Sequence, residues 1–145
     1  MPPSREIRVR QARAADLPGV LALWEEARSG QASVPDRLED LQPLLADSPA
    51  ALLVAAAEDE EIVGSLIAAW DGWRGNLYRL AVRADCRRRG IGLMLIRSGE
   101  QRLRARGARR VTALVAFEDA EAGAFWDAAG YPRDEQIGRR ARNLS

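Results

Sequence analysis

Apolar and charged positions alternate over residues 7–10, the period of a short half-buried strand. From Asp16 the rhythm changes: Leu17, Val20, Leu21, Trp24 and Ala27 recur at threes and fours. Asp16 followed by Pro18 is a helix-start signal, so a helix running to about residue 28 is predicted. Leu38, Leu41 and Leu45 give residues 36–46 helical spacing, with Pro43 inside as a breaker. Residues 50–57 and 62–70 are apolar runs separated by the acidic turn Glu58-Asp59-Glu60-Glu61, which predicts an antiparallel hairpin. Beyond the break Asp71-Gly72-Trp73-Arg74-Gly75, residues 76–82 read as a strand, 90–106 as a helix stopped by Gly107, and 110–117 as a strand. A crossover helix between strands implies that the two run parallel. A last helix over residues 119–129 puts Ala122, Phe125, Trp126 and Ala129 on one face. Short strand candidates follow near Tyr131 and over 137–143.

Composition narrows the chemistry. A chain of 145 residues suits one domain, residues 1–145, with no internal repeat or linker. Histidine is absent and Cys86 is the only cysteine, so an intrachain disulfide is impossible and no metal site is expected. Every basic residue is an arginine, and 22 of them face 21 carboxylates for a net charge of +1. That balance argues against bulk capture of nucleic acid, although arginines concentrate between Arg79 and Arg110. No run approaches the length of a membrane span, and residues 1–10 have no apolar core of a secretory signal; the expected location is the cytoplasm, with no membrane partner.

The chemistry-bearing segment is the passage from the strand at 77–82 into Arg87-Arg88-Arg89-Gly90-Ile91-Gly92, after which Leu93 to Ile96 open a helix. A helix start exposes amides without partners and carries partial positive charge, so an anion fits there. Gly90 and Gly92 let phosphate oxygens approach the main chain, and the arginines add fixed positive charge. A P-loop requires Gly-Lys-Ser/Thr, and the chain has no lysine. A dinucleotide fingerprint wants a small residue where Leu95 stands and an acid near residues 109–112, where none occurs. From residue types alone, an anion cradle and a plain tight turn with solvated arginines both remain open.

Arg87-x-x-Gly90-x-Gly92 after Leu80-Ala81-Val82 resembles motif A of the GNAT superfamily of N-acetyltransferases. The likeness extends over nearly the whole chain. Residues 7–24 look like that family's first strand and helix, and residues 118–131 resemble its Glu-Asn-x-x-Ala-x-x-Phe-Tyr-x-x-x-Gly-Phe segment. Asp71-Gly-Trp-Arg-Gly75 is similar to the lead-in of some small bacterial members. The resemblance implies an α/β GNAT fold: a mixed, twisted sheet of six to seven strands with splayed central parallel strands, and about four helices. It implies acetyl-CoA as cosubstrate and an amine of a small molecule or peptide as acceptor, and it leaves the oligomeric state, a homodimer included, open. The cofactor-binding residues it implies are Leu80, Ala81 and Val82 along the pantetheine arm, Arg87, Arg88, Arg89, Gly90, Ile91, Gly92 and Leu93 around the pyrophosphate, and Asp119 and Trp126 in the last helix.

Departures from that pattern bear on catalysis. The family's tyrosine, often the general acid, falls at Trp126, and the glutamate base of some members falls at Leu114. The catalytic candidates left are Glu118 and Asp71, as ends of a water relay, and Tyr78, two positions before Leu80 on the strand. Trp70 and Trp73 around Asp71 are candidate walls of an acceptor pocket, against the plainer reading as packing. Missing catalytic side chains keep a rival reading alive, a CoA-binding regulatory module with little catalysis; a second rival is an arginine-driven nucleic-acid binder.

Overall fold

The computed structural model describes residues 6–27, 36–46, 50–115 and 120–144. The described residues up to 114 form one compact unit and those from 115 onward a second.

In the first unit five strands, β1 (Arg8–Gln11), β2 (Ala50–Ala56), β3 (Ile62–Trp70), β4 (Gly75–Val82) and β5 (Val111–Ala113), lie in the order β1-β2-β3-β4-β5. β1 to β4 are antiparallel neighbours, and β5 joins β4 in parallel. β2 is apolar at every position because it is central and covered on both faces. The helices are α1 (Leu17–Ala27), α2 (Leu38–Leu41) and α3 (Ile91–Arg106). Along β3, Ser65 meets Trp24 of α1, whereas a side chain at Gly64 would meet Leu95 and Leu66 lies against Gly99, both of α3. Successive strand residues face opposite ways, so α1 and α3 cover opposite faces. The α1 face buries Leu17, Val20, Leu23, Trp24, Leu41, Leu52, Val54 and Ala81 together. On the other face α3 brings down Leu95, Ile96 and Leu103 at helical spacing. Gly99 permits its close approach, since a Cβ there would stand 3.1 and 3.2 Å from Leu66 and Leu77.

The α/β class, the mixed sheet, the hairpin, the crossover helix and its Gly107 stop all occur where the sequence places them. Gly107 takes a left-handed conformation, and its N–H with that of Ala108 closes the last turn of α3 on Arg104 O and Leu103 O. Other expectations are corrected. The sheet has five strands among the described residues, not six to seven: residues 131 and 137–143 are not strands. Ile137 is 74 % exposed there, and Gly138, Arg139, Arg140 and Arg142 give it no apolar face to bury. β5 is shorter than predicted, and residues 116–119 lie outside the described ones. Pro43 limits α2 to one turn, followed by a 3-10 turn over Gln42–Ala46. On α1 the buried stripe includes Leu23, while Ala27 is exposed.

The second unit holds α4 (Ala120–Ala128). Its Trp126 is buried and meets Phe125 and Tyr131 edge-on, at centroid distances of 5.9 and 5.2 Å. Tyr131 N donates to Trp126 O at 2.8 Å, with Gly130 left-handed at the helix end.

Candidate active site

Among the described residues β5 pairs along its whole length with only the start of β4. Gly75 N donates to Arg110 O, and Leu114 N to Leu77 O lies furthest along the pair. β4 continues to Val82, so from Tyr78 onward its outer edge has no strand partner among the described residues. Along this free length β4 is irregular. The register pairs Ile67 with Tyr78 and Ser65 with Ala81, so Arg79 and Leu80 stand opposite the single residue Leu66, a β-bulge. Arg79 adopts φ +56°, a left-handed conformation that costs an ordinary residue about 1–2 kcal/mol. Its carbonyl accepts the Ser65 hydroxyl at 3.0 Å, and its guanidinium forks onto Asp36 at 2.7 and 3.1 Å while lying 4.9 Å over the Trp24 ring.

The bulge also corrects the reading of Tyr78. Ile67 and Ala81 both belong to the α1-face cluster, so Tyr78 and Ala81, three positions apart, share that face. The spacing of two between Tyr78 and Leu80 therefore does not put them on one face.

Beyond Val82 a 3-10 turn over Ala84–Cys86 leads into the arginine-glycine segment. Arg88 (φ +65°) and Gly90 (φ +78°) are both left-handed, a pattern that turns successive amides to one side as an anion-binding concavity. Gly90 caps α3 without any side-chain bond, and Met94 N is the first helix amide with a backbone acceptor, Gly90 O at 3.0 Å. The amides of residues 88–93 have no backbone acceptor among the described residues, and a Cβ built on Gly90 would meet nothing within 4 Å. The mouth of the turn is thus open, and its donor groups suit a diphosphate.

The arginines divide by partner. Arg83 is committed to Asp85 at 2.6 and 3.0 Å and to Glu61, and these carboxylates hold its guanidinium well above its ordinary range. Arg87 Nε reaches Val82 O at 3.3 Å. Arg88 and Arg89 are exposed and make no ion pair among the described residues. Cys86 is buried, and burial pushes its thiol up, so it is an inert packing residue.

Leu80, Ala81, Val82 and residues 87–93 therefore lie on one continuous run from free edge to open turn. Asp71 does not join them. It stands before the start of β4, where its Oδ1 accepts from Trp73 N at 2.8 Å and Arg74 N at 2.7 Å. The bonds from the Arg74 and Trp73 amides hold its carboxyl below the ordinary range. Trp73, 69 % exposed with Arg74 stacked 4.1 Å over it, stands in solvent and walls no pocket. Glu118 and Asp119 lie outside the described residues. No group of histidine, cysteine or acid side chains suited to a metal occurs among the described residues, and none of their helices is long and apolar enough to cross a membrane.

An open helix start beside a strand with a bulged edge that has no partner among the described residues is suited in chemistry to an anionic ligand with an extended arm. The Acetyltransferase (GNAT) family matches residues 17–131, and the chain belongs to it. It is 35 % identical over 114 residues to an acetyltransferase of Photorhabdus laumondii, covering 79 % of this chain and 78 % of the relative. An acetyltransferase of Pectobacterium atrosepticum is 36 % identical over 107 residues, 74 % of each chain. Among solved structures, an aminoglycoside acetyltransferase from an uncultured soil metagenomic sample superposes with TM-score 0.76 at 26 % identity, covering 96 % of this chain and 97 % of that one. An aminoglycoside N-acetyltransferase in complex with CoA shares the fold at TM-score 0.80 and 18 % identity, covering 99 % of both chains. The protein is an acetyltransferase, and the readings as a non-catalytic module or a nucleic-acid binder give way to it.

Proposed function

We propose that the protein transfers the acetyl group of acetyl-CoA to the amine of a small molecule, within one domain. The diphosphate lies on the amides of residues 88–93 with Arg88 and Arg89 beside it, and the acetyl-pantetheine arm runs along Leu80 to Val82. The observation that supports this most is the open first turn of α3, whose amides have no acceptor among the described residues. Acetyl-CoA supplies the activated thioester; the chain holds it, and β4 offers the arm a backbone edge with no strand partner among the described residues.

In the transfer the amine nitrogen bonds to the thioester carbon, the carbon–sulfur bond breaks, and the amine proton passes to solvent. A thiolate with pKa about 8.5 leaves tolerably near neutrality without a dedicated acid. Trp126 offers no usable proton in any case. Presenting a neutral amine is harder: a lysine-like group of pKa about 10.4 costs roughly 4–5 kcal/mol to deprotonate at pH 7, one near 8 only about 1–1.5. Leu114 brings no base to β4, and Asp71 is committed to the Arg74 and Trp73 amides and to Asn76 at the start of the strand, so the reading favours an acceptor whose amine has a low pKa; a water relay ending on Glu118 is the second reading. The 26 % identity to an aminoglycoside acetyltransferase supports a small-molecule acceptor.

A hundredfold excess of acetyl-CoA over its dissociation constant should stabilise the fold by about 2.7 kcal/mol in thermal melts. Thiol release at pH 7 across amines of graded pKa should then be fastest near pKa 8. A flat melt sinks the cofactor assignment, and rates that rise with amine pKa sink the low-pKa acceptor. A Glu118→Gln pH–rate profile that matches wild type removes the relay.

A further inference from the structure

We infer that Ser65, held by Trp24, is a positioning residue for the thioester arm: it locks the Arg79 bulge and so decides which residues of β4 present their backbone at the free edge. This rests on the proposed seat of acetyl-CoA. Gly75 and Leu77 both address β5, by Gly75 N to Arg110 O and Leu114 N to Leu77 O. In a regular strand the period of two would make Arg79 and Ala81 the next residues on that edge. The structure breaks the sequence. Arg83 N donates to Val63 O on the β3 side at 2.8 Å, which puts Ala81 with β3 and leaves Leu80 and Val82 on the open edge. One inserted residue has switched the parity.

The inserted residue is Arg79, and no glycine makes its φ of +56° easy. Ser65 compensates. It is fully buried, and its Oγ accepts from Trp24 Nε1 at 2.7 Å while donating to Arg79 O at 3.0 Å. A buried hydroxyl flanked in the sheet by Val54 and Ala81 is costly unless both its capacities are used, and the bulge carbonyl is what uses its proton. The same indole lies under the Arg79 guanidinium, so Trp24 supports the bulge residue at both ends.

The test is calorimetric titration with acetyl-CoA and with 3′-phosphoadenosine 5′-diphosphate, which carries the diphosphate but no arm. Ser65→Ala should weaken acetyl-CoA about tenfold and leave the armless nucleotide within about twofold of wild type. In an Arg79→Gly background, where glycine takes a positive φ unaided, the same serine substitution should cost less than about threefold. Should Ser65→Ala fail to fold, Trp24→Phe keeps a packed ring and removes the donor, and the same selective loss of acetyl-CoA is expected. Equal binding of both ligands by wild type and variant, a parallel loss of both, or a loss undiminished beside Arg79→Gly overturns the inference while the cofactor seat stands. If wild type itself binds neither ligand, the seat fails and the inference with it.

Discussion

Two helices of the first unit begin in opposite ways. The turn that leads into α1 carries its own anion: Asp16 Oδ2 accepts from Arg13 N at 2.8 Å, and the same carboxylate is forked by Arg10 at 2.6 and 3.0 Å. The start of α3 has Gly90 where a capping side chain belongs, and its first amides have no acceptor among the described residues. Both ends carry the same partial positive charge. At α1 the protein neutralises it; at α3 no described residue does. A site can thus be recognised by the cap the sequence withholds.

The sharpest way to break this contrast is to give α3 the acid that α1 possesses. Gly90→Glu puts a carboxylate at the open turn and an ordinary residue at φ +78°, strained by about 1–2 kcal/mol. The space around the missing Cβ is empty, so the fold should survive. Acetyl-CoA affinity should fall at least about a hundredfold, roughly 2.8 kcal/mol, by calorimetry. Affinity within threefold of wild type, in a folded variant, defeats the account of the turn.

The reciprocal change removes the acid from α1. Asp16→Asn should cost about 2 kcal/mol in urea unfolding, the range for hydrogen bonds to charged groups, with acetyl-CoA affinity unchanged. Its pH dependence has a definite sign. Burial pushes the Asp16 carboxyl up, but the Arg10 bonds and the Arg13 amide together hold it below its ordinary value. A depressed folded pKa gives stability that is complete above the unfolded pKa of about 3.9 and drains away as pH falls through the lower folded value. Asp16→Asn should therefore flatten the acid limb of the stability curve below about pH 4. An unchanged acid limb places the loss elsewhere than in the Arg10–Asp16 pair.

How much of this could be read from residues alone follows the same division. Periodicity reveals burial, and so the hairpin, the crossover helix and the packed face of α4 were all legible. The open turn was legible too, because Gly90 and Gly92 announce missing side chains at a helix start. The bulge was not. Arg79 is an ordinary residue in an ordinary strand pattern, and its left-handed backbone follows from partners far off in the chain: Ser65, Trp24 and Asp36. Only Ser65 left a trace, as the one hydroxyl in the apolar run of β3. Candidates near the break before β4 were harder to read for a related reason. An aspartate beside glycines reads as a catalytic acid or as a loop cap equally well until the direction of its carboxylate is known.

That ambiguity gives the mildest substitution its value. The loop before β4 resembles the turn before α3 in composition, with Asp71, Gly72, Arg74 and Gly75, yet it is satisfied from within, since the amides of Trp73 and Arg74 both end on Asp71. Asp71→Ala frees those amides to water at an exposed hairpin tip, so activity should stay within about twofold of wild type. The carboxyl titrates below its ordinary range and stays ionised through neutral pH, so removing it should also leave the pH–rate profile unmoved between about pH 6 and 9. A tenfold loss of rate, or a lost inflection in that profile, makes Asp71 part of the chemistry after all. Self-satisfied loops would then be no safer to exclude from a site than open ones, and the contrast between the two helix starts would lose its use as a guide.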